Sequence, residues 1–373
     1  MKLGKKILIM VLAIVATTVA AGVIYITSAF NYGTSALSKT YKDYGNGASS
    51  KVIQQTQPIS ILLMGIDTGD SQRTDAWEGN SDTMILMTVN PKTKKTTMTS
   101  LERDTMVNIT TTDAGTYQAK LNAAYATGGE TLAQSTIENL LDIKVDFYVL
   151  INMQGLVDLV NAVGGITVTN EFSFPISIAE NEPEYTATVE PGTHHINGEQ
   201  ALVYARMRYD DPDGDYGRQK RQREVISKVM KKILSMDSVS NYQKVLDAVS
   251  NNMQTNIDVA NNWSNLLGYR DALKSVKSYQ LKGEDAMVDG VSYQLVTNDS
   301  LLQVQNRIKK QLGQAESDTL NNDNSVITYE DYYGTGTYYN GYDSTTTGYA
   351  DTSTYGYDTG TGAVDTTNGY SAY

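Results

Sequence analysis

Residues 59–67 read ISILLMGID, a nearly unbroken apolar run closed by Gly-Ile-Asp. So short and apolar a run reads as a strand buried on both faces, since a strand with one wet face would alternate. Both faces of its sheet must then be covered, and helices are the elements that cover them. The run therefore points to an α/β body before any other feature is weighed. Asp67 falls at the carboxyl end of this strand, the edge at which open α/β sheets take their ligands.

The surrounding pattern agrees. Further strands are expected at 83–90 and 96–101, joined by the polar turn 91–95. A helix is expected over 131–141, a strand over 145–153, a helix over 154–163 and a short strand over 166–169. Residues 180–191 read as a surface excursion and 198–205 as a short helix. After Gln222, the positions Val225, Ile226, Val229, Met230, Ile233 and Leu234 mark an amphipathic helix facing the core. The stretch 238–312 is mostly helical in pattern and reads as part of the folded body.

The ends of the chain read differently. Residues 1–6 are basic, and 7–38 carry no charge. The apolar part, 7–30, is long enough for a bilayer-spanning helix, which needs roughly 20 residues. Lysines before it and an acidic body after it place residues 1–6 in the cytoplasm and the body outside, a single-pass arrangement in the cell membrane. A cleaved signal peptide is the competing reading, disfavoured by the length of the run. Residues 31–57 read as a polar linker and 58–312 as an extracellular domain. Residues 313–373 are rich in Tyr, Gly and Thr and read as a disordered tail, with too little apolar surface to offset its ordering entropy. The formal charge of -12 argues against a nucleic-acid partner. The absence of cysteine excludes disulfides, thiolate catalysis and Cys-bound metals.

Against that acidic background, residues 204–222 (YARMRYDDPDGDYGRQKRQ) gather Arg206, Arg208, Arg218 and Arg221 around a turn holding Asp210, Asp211, Asp213 and Asp215. Arginine presents a planar fork of donors that suits phosphate. Asp215 is placed to cap the following helix, with Arg218 and Gln222 four residues apart on one face. A phosphate or pyrophosphate site is one reading. A solvated salt-bridge cluster on an exposed turn is the other. Asp67, Asp70, Asp75 and Asp82 lie on or near the loop after the first strand, Arg103 ends a neighbouring strand, and Lys120 follows. Such carboxylates suit Mg²⁺ when substrate phosphates complete its shell. The adjacent His194 and His195 would diverge on an extended chain and read as a surface turn rather than a metal site.

Seven segments together carry a resemblance: LLMGID (62–67), SDTMILMTVNP (81–91), SLERDT (100–105), KLNAAYATGG (120–129), VNAVGGITV (160–168), NGEQALVYARMR (197–208) and GDYGRQKRQ (214–222). In this order they resemble the LytR–CpsA–Psr proteins of Gram-positive envelopes, over 58–234. The resemblance implies an α/β/α sandwich-like body, a central mixed sheet flanked by helices. It implies that the body grips a polyisoprenyl pyrophosphate-linked glycan, its lipid in an apolar tunnel. The implied reaction transfers a phosphoglycopolymer, of wall teichoic acid or capsule type, to peptidoglycan. Residue by residue, it implies catalytic roles for Arg103, Arg206, Asp215 and Arg218. It implies pyrophosphate contacts from Lys120, Arg208, Arg221 and Gln222, and Mg²⁺ (or Mn²⁺) on Asp67 and Asp82. The pattern departs at Asn80, where the family has Arg, and at Glu102, where it has Pro. For Asp215, metal binding, helix capping and holding an arginine all stay open, and Asp75 and Asp104 are candidate bases. Two other functions fit the same residues: a polyisoprenyl-pyrophosphate hydrolase, and a non-catalytic envelope regulator or lipid sensor.

Overall fold

The computed structural model describes residues 40–42, 53–67, 77–236, 239–258, 265–321 and 326–334. The apolar run is β1 (Ile59–Asp67), buried at every position. Beside it lie β2 (Asn80–Asn90) and β3 (Lys95–Leu101), antiparallel neighbours linked by a turn in which Lys94 takes a positive φ. The β4 (Met106–Thr111) and β5 (Gly115–Lys120) hairpin follows, then α1 (Ala123–Leu141), broken at Gly128 and Gly129. Next come β6 (Phe147–Asn152), α2 (Met153–Ala162), β7 (Ile166–Asn170) and β8 (Gly192–Ile196), the last two paired. Two helices carry the arginine stretch: α3 (Gly198–Arg206), opened by an Asn197–Gln200 capping box, and α4 (Gly214–Leu234).

The remainder is α5 (Val239–Ser250), β9 (Met253–Thr255), β10 (Val276–Gln280), β11 (Gly283–Val288), β12 (Val291–Val296), α6 (Asn298–Leu312) and α7 (Tyr329–Tyr333). The central sheet has six strands in the order β10-β3-β2-β1-β6-β9. It is mixed: β1 runs parallel to β6 and β3 parallel to β10, the other pairings being antiparallel. Helices α1 and α6 pack on β2 and on each other. Helix α2 packs on β1 and β6 and carries α3 and α5, with α4 against α3. The expected α/β class with a central mixed sheet is what forms.

Three expectations need correction. The stretch 238–312 is not mostly helical, since β9 to β12 fall within it. Strand β10 is the sheet's edge, and β11–β12 is a hairpin whose turn, Asp289-Gly290, has positive φ at both residues. An Asp-Gly turn is a strong hairpin signal, outweighed in the reading by the apolar periodicity around it. The linker 31–57 is partly built into the body. Lys42 N–H donates to Thr255 O at 3.0 Å. Ile53 is buried, and the Tyr269 hydroxyl donates to Gln54 O at 2.7 Å. The ordered body also passes residue 313. Val326 bridges to Val107 and is buried, and Ile327 and Tyr329 pack on a small cluster of Met106, Ala286, Val288 and Leu295. These few apolar side chains are hidden in the average composition of the tail. The apolar stretch 7–30 lies outside the described residues, and so does the sequence from 335 onward.

Candidate active site

The carboxyl end of β1 and the start of β2 hold the two acidic residues of the expected metal pair. The β1–β2 register slips here: Gly65 faces Thr83 while Ile66 faces Ser81, leaving Asp82 as the extra residue of a bulge. A bulge re-aims a side chain, and Asp82 turns into a buried network. One carboxylate oxygen accepts from Asn122 Nδ2 at 2.6 Å and the other from Arg103 Nη1 at 3.2 Å. Asn122 and Arg103 are locked together by the chain itself, since Asn122 N–H donates to Arg103 O at 3.1 Å.

Arg103 stands at the centre. Besides Asp82, its Nε lies 3.4 Å from Asp104 and 3.9 Å from Asp215. Asp104 in turn binds Lys120 at 2.8 Å. Burial opposes the charge on Arg103, but Asp82, Asp215 and Asp104 outweigh it and hold the guanidinium more firmly protonated than usual. Asp215 sits in the first turn of α4, and Asp213 is the N-cap residue. Asp215 therefore does not cap the helix. It binds Arg218 at 2.6 Å and accepts from Gln219 Nε2 at 3.0 Å. Burial pushes its carboxyl up, but Arg218 and Arg103 prevail and hold it below the usual carboxylate range.

Arg218 is completely buried. Its Nη2 reaches Asp82 O at 3.4 Å, while Nε and Nη1 have no hydrogen-bond partner among the described residues. Burial lowers its pKa to about 10, the Asp215 charge notwithstanding. That burial rules out a solvated cluster for Arg218, although Tyr209, Asp210 and Asp213 on the turn itself are exposed. One turn on, Gln222 donates to Thr83 Oγ1 at 3.1 Å and to Ala205 O at 3.5 Å. It thereby joins the Asp82 network to the end of α3.

Arg206 ends α3 in a second, adjoining group. It pairs with Glu182, donates to Met153 Sδ at 2.8 Å and stacks 4.7 Å from the Tyr185 ring. Burial raises the Glu182 carboxyl to about 7, with Arg206 opposing and the nearby Asp67 charge adding to the rise. Glu182 was missed by the sequence reading because the 180–191 excursion looked like surface. Arg208 lies on its neighbour Tyr209, its Nη2 donating to the hydroxyl at 2.8 Å. Arg221 departs from expectation. It is buried on another side of α4, held by Asp211 and by the carbonyls of Tyr204 and Met207. There it lines a cavity of about 350 Å³ with Phe172, Tyr204 and Lys220. Position 221 borders the 218/222 face, and it is Asp211 and the carbonyls of Tyr204 and Met207 that draw its guanidinium to this side. His195 and His194 occupy alternate sides of β8, their Nε2–H groups donating to Gly164 O and Pro191 O, and are not a metal pair.

No group of three or more metal-type side chains occurs among the described residues. Asp67 and Asp82 are buried hard-oxygen donors on adjacent strands, and each Asp82 oxygen keeps a lone pair beyond its one hydrogen bond. That donor set fits Mg²⁺, which binds through one or two carboxylates with phosphate oxygens and water as its other ligands. Asp70 and Asp75 lie outside the described residues.

Comparison with known proteins agrees with this geometry. A model described as the LytR_cpsA_psr family matches residues 27–310. Biofilm regulatory protein A of Streptococcus mutans serotype c is 63% identical over 350 residues, 93% of this chain and 86% of that protein. Polyisoprenyl-teichoic acid–peptidoglycan teichoic acid transferase TagU of Enterococcus faecalis is 45% identical over 313 residues, 84% of this chain and 99% of that one. Among solved structures, protein gbs0355 from Streptococcus agalactiae superposes with a TM-score of 0.73 at 64% identity, covering 77% of this chain and 98% of the other. TagT bound to LIIa-WTA gives a TM-score of 0.60 at 31% identity, over 73% of this chain and 100% of that one. The family model and these relatives together show that the chain belongs to the LytR–CpsA–Psr family.

Proposed function

We propose that this protein transfers a phosphoglycopolymer, of wall teichoic acid or capsular type, from a polyisoprenyl pyrophosphate carrier to peptidoglycan. The observation that carries the reading is Arg218: fully buried, beside Arg103, with Nε and Nη1 unengaged. A buried guanidinium with unmet donors is costly unless an anion completes it. A relative 45% identical is named for the transfer of polyisoprenyl-linked teichoic acid to peptidoglycan.

In this reading an acceptor hydroxyl attacks phosphorus, and the bond to the lipid phosphate breaks. Positioning and charge neutralisation supply most of the catalysis in such displacements. Arg103 and Arg218 receive charge on the pyrophosphate, Lys120 adds a third cation, and Gln222 fixes the edge toward Arg206. Asp104, between Lys120 and Arg103, orients both. Asp67 and Asp82 would hold Mg²⁺, which supplies Lewis-acid charge to the phosphate oxygens when bound. Residues 7–30 anchor the chain in the membrane with the body outside.

A relative named as a regulatory protein favours a second reading, the non-catalytic envelope regulator or lipid sensor. Turnover separates the two. The wild type should move labelled polymer from a polyisoprenyl pyrophosphate to peptidoglycan in Mg²⁺, slowing in chelator and in Asp82→Ala. Carrier binding without transfer would favour the sensor, and release of polymer regardless of acceptor would mark a hydrolase.

A further inference from the structure

A fourth carboxyl lies against the arginine network without pairing to it. Glu102, on the turn leaving β3, is 2% exposed, yet the ion pairs of Arg103 and Arg218 run to Asp82, Asp104 and Asp215. The Gln219 amide joins the two carboxyls, since Nε2 donates both to Glu102 Oε2 and to Asp215 Oδ2. Gln219 is itself fixed by Gln280 of β10, whose Nε2 donates to its carbonyl at 2.8 Å. A buried carboxyl and a half-buried one within reach of one amide repel if both are ionised, and one proton between them removes the conflict.

We propose that Glu102 is a positioning residue: a neutral acid whose carboxyl O–H donates to Asp215 and so holds the Arg103–Arg218 pair for the pyrophosphate. The inference rests on the transferase site proposed above. The charged and titratable groups around Glu102 are Asp215, Tyr216 and Arg218 on α4, with Arg103 and Asp104 beside it in the chain. Burial and the Asp215 charge raise its pKa well above the usual carboxylate range, while Arg218 opposes.

Charge balance gives the neutral form its purpose. Arg103, Arg218 and Lys120 face Asp82, Asp104 and Asp215, three cations against three anions. A further ionised carboxyl would make the cluster net negative before any phosphate arrived. It would also compete with phosphate for Arg218. Deprotonation should therefore lower affinity as the pH rises through the Glu102 pKa.

Two measurements on full-length protein in detergent test this. Infrared difference spectra should show a protonated-carboxyl C=O component at neutral pH that is lost in Glu102→Gln and kept in Glu182→Gln. Its absence in the wild type would overturn the proposal. Titration with a short-chain polyprenyl pyrophosphate should show wild-type affinity declining at the alkaline pH where the band disappears. Glu102→Ala should bind roughly tenfold worse. Glu102→Gln keeps both an acceptor for Gln219 and a donor for Asp215, so it should restore most of that loss and abolish the alkaline decline. A glutamine variant that is folded, binds as poorly as alanine and keeps the wild-type pH profile would overturn it. If the wild type binds no pyrophosphate, the transferase reading fails instead, and the infrared band alone decides whether Glu102 is neutral.

Discussion

Arg218 and Arg221 share a helix, a charge and a burial class, yet they do different work. Arg221 is saturated by Asp211 and two carbonyls, so its guanidinium ties the 207–213 turn to α4. Arg218 has one carboxylate and donors to spare. Its charge-assisted bonds to a bound pyrophosphate would contribute roughly 1.5–3 kcal/mol, so Arg218→Ala should bind a short-chain polyprenyl pyrophosphate about tenfold to a hundredfold more weakly. Arg218→Lys should recover part, keeping the charge without the planar fork. Calorimetric titration of the folded variants checks this, and equal affinity across the set would remove Arg218 from the site. The motif made Arg218 a candidate. That Arg221 is structural could not be read from the same motif, because only the packed turn shows which carbonyls it meets.

Helix α4 is the element on which the site is mounted. One side presents Asp215, Arg218 and Gln222 to the ends of β2 and β3, while Val225, Ile226, Val229 and Met230 enter the core. At Gly217 the helix passes so close to the preceding turn that a Cβ would sit 2.0 Å from Asp211 Oδ2. That carboxylate is held by Arg221 and cannot simply swing away. Gly217→Ala should therefore destabilise the protein by about 1–3 kcal/mol, through overpacking, and displace the turn carrying Arg218. Urea unfolding gives the first effect and pyrophosphate titration the second; an unshifted midpoint would show that the turn yields. Elements with a clear period or cap were legible in the sequence: β1, α2 and the core face of α4. Strand β7 was expected at 166–169, but its partner β8 and the β4–β5 hairpin escaped notice, because β5 and β8 expose many of their side chains and leave little hydrophobic pattern to read.

At the scale of the whole molecule, the body ends later than its composition suggests. Val326 and Thr328 are buried, and Glu330 accepts from the N-terminal N–H of α6. Burying one aliphatic side chain contributes roughly 1.5–3 kcal/mol. A protein ending at residue 312 should thus unfold at lower urea than one ending at residue 334, whereas the latter should match full length in stability and transfer. Identical midpoints for all three would show that 326–334 adds nothing. The proposed membrane anchor at residues 7–30 is tested separately: protease on intact cells should remove the body and spare residues 1–6. Recovery of a mature protein in the medium, starting after residue 28, would refute it.

By itself the sequence determined the α/β class, the buried central strand, the family and most of the cationic and acidic side chains at the site. Those features are local: a run of apolar residues, a period, a motif at fixed spacing. Only the tertiary structure decided that Asp82 lies in a bulge, that Asp215 holds arginines rather than capping its helix, and that Glu102 and Glu182 are buried beside cations. It alone decided that β10 completes the sheet and that Val326 belongs to the body. Each of these depends on partners far apart in the chain, and burial and charge pairing are properties of what surrounds a residue, which its immediate neighbours in sequence do not specify.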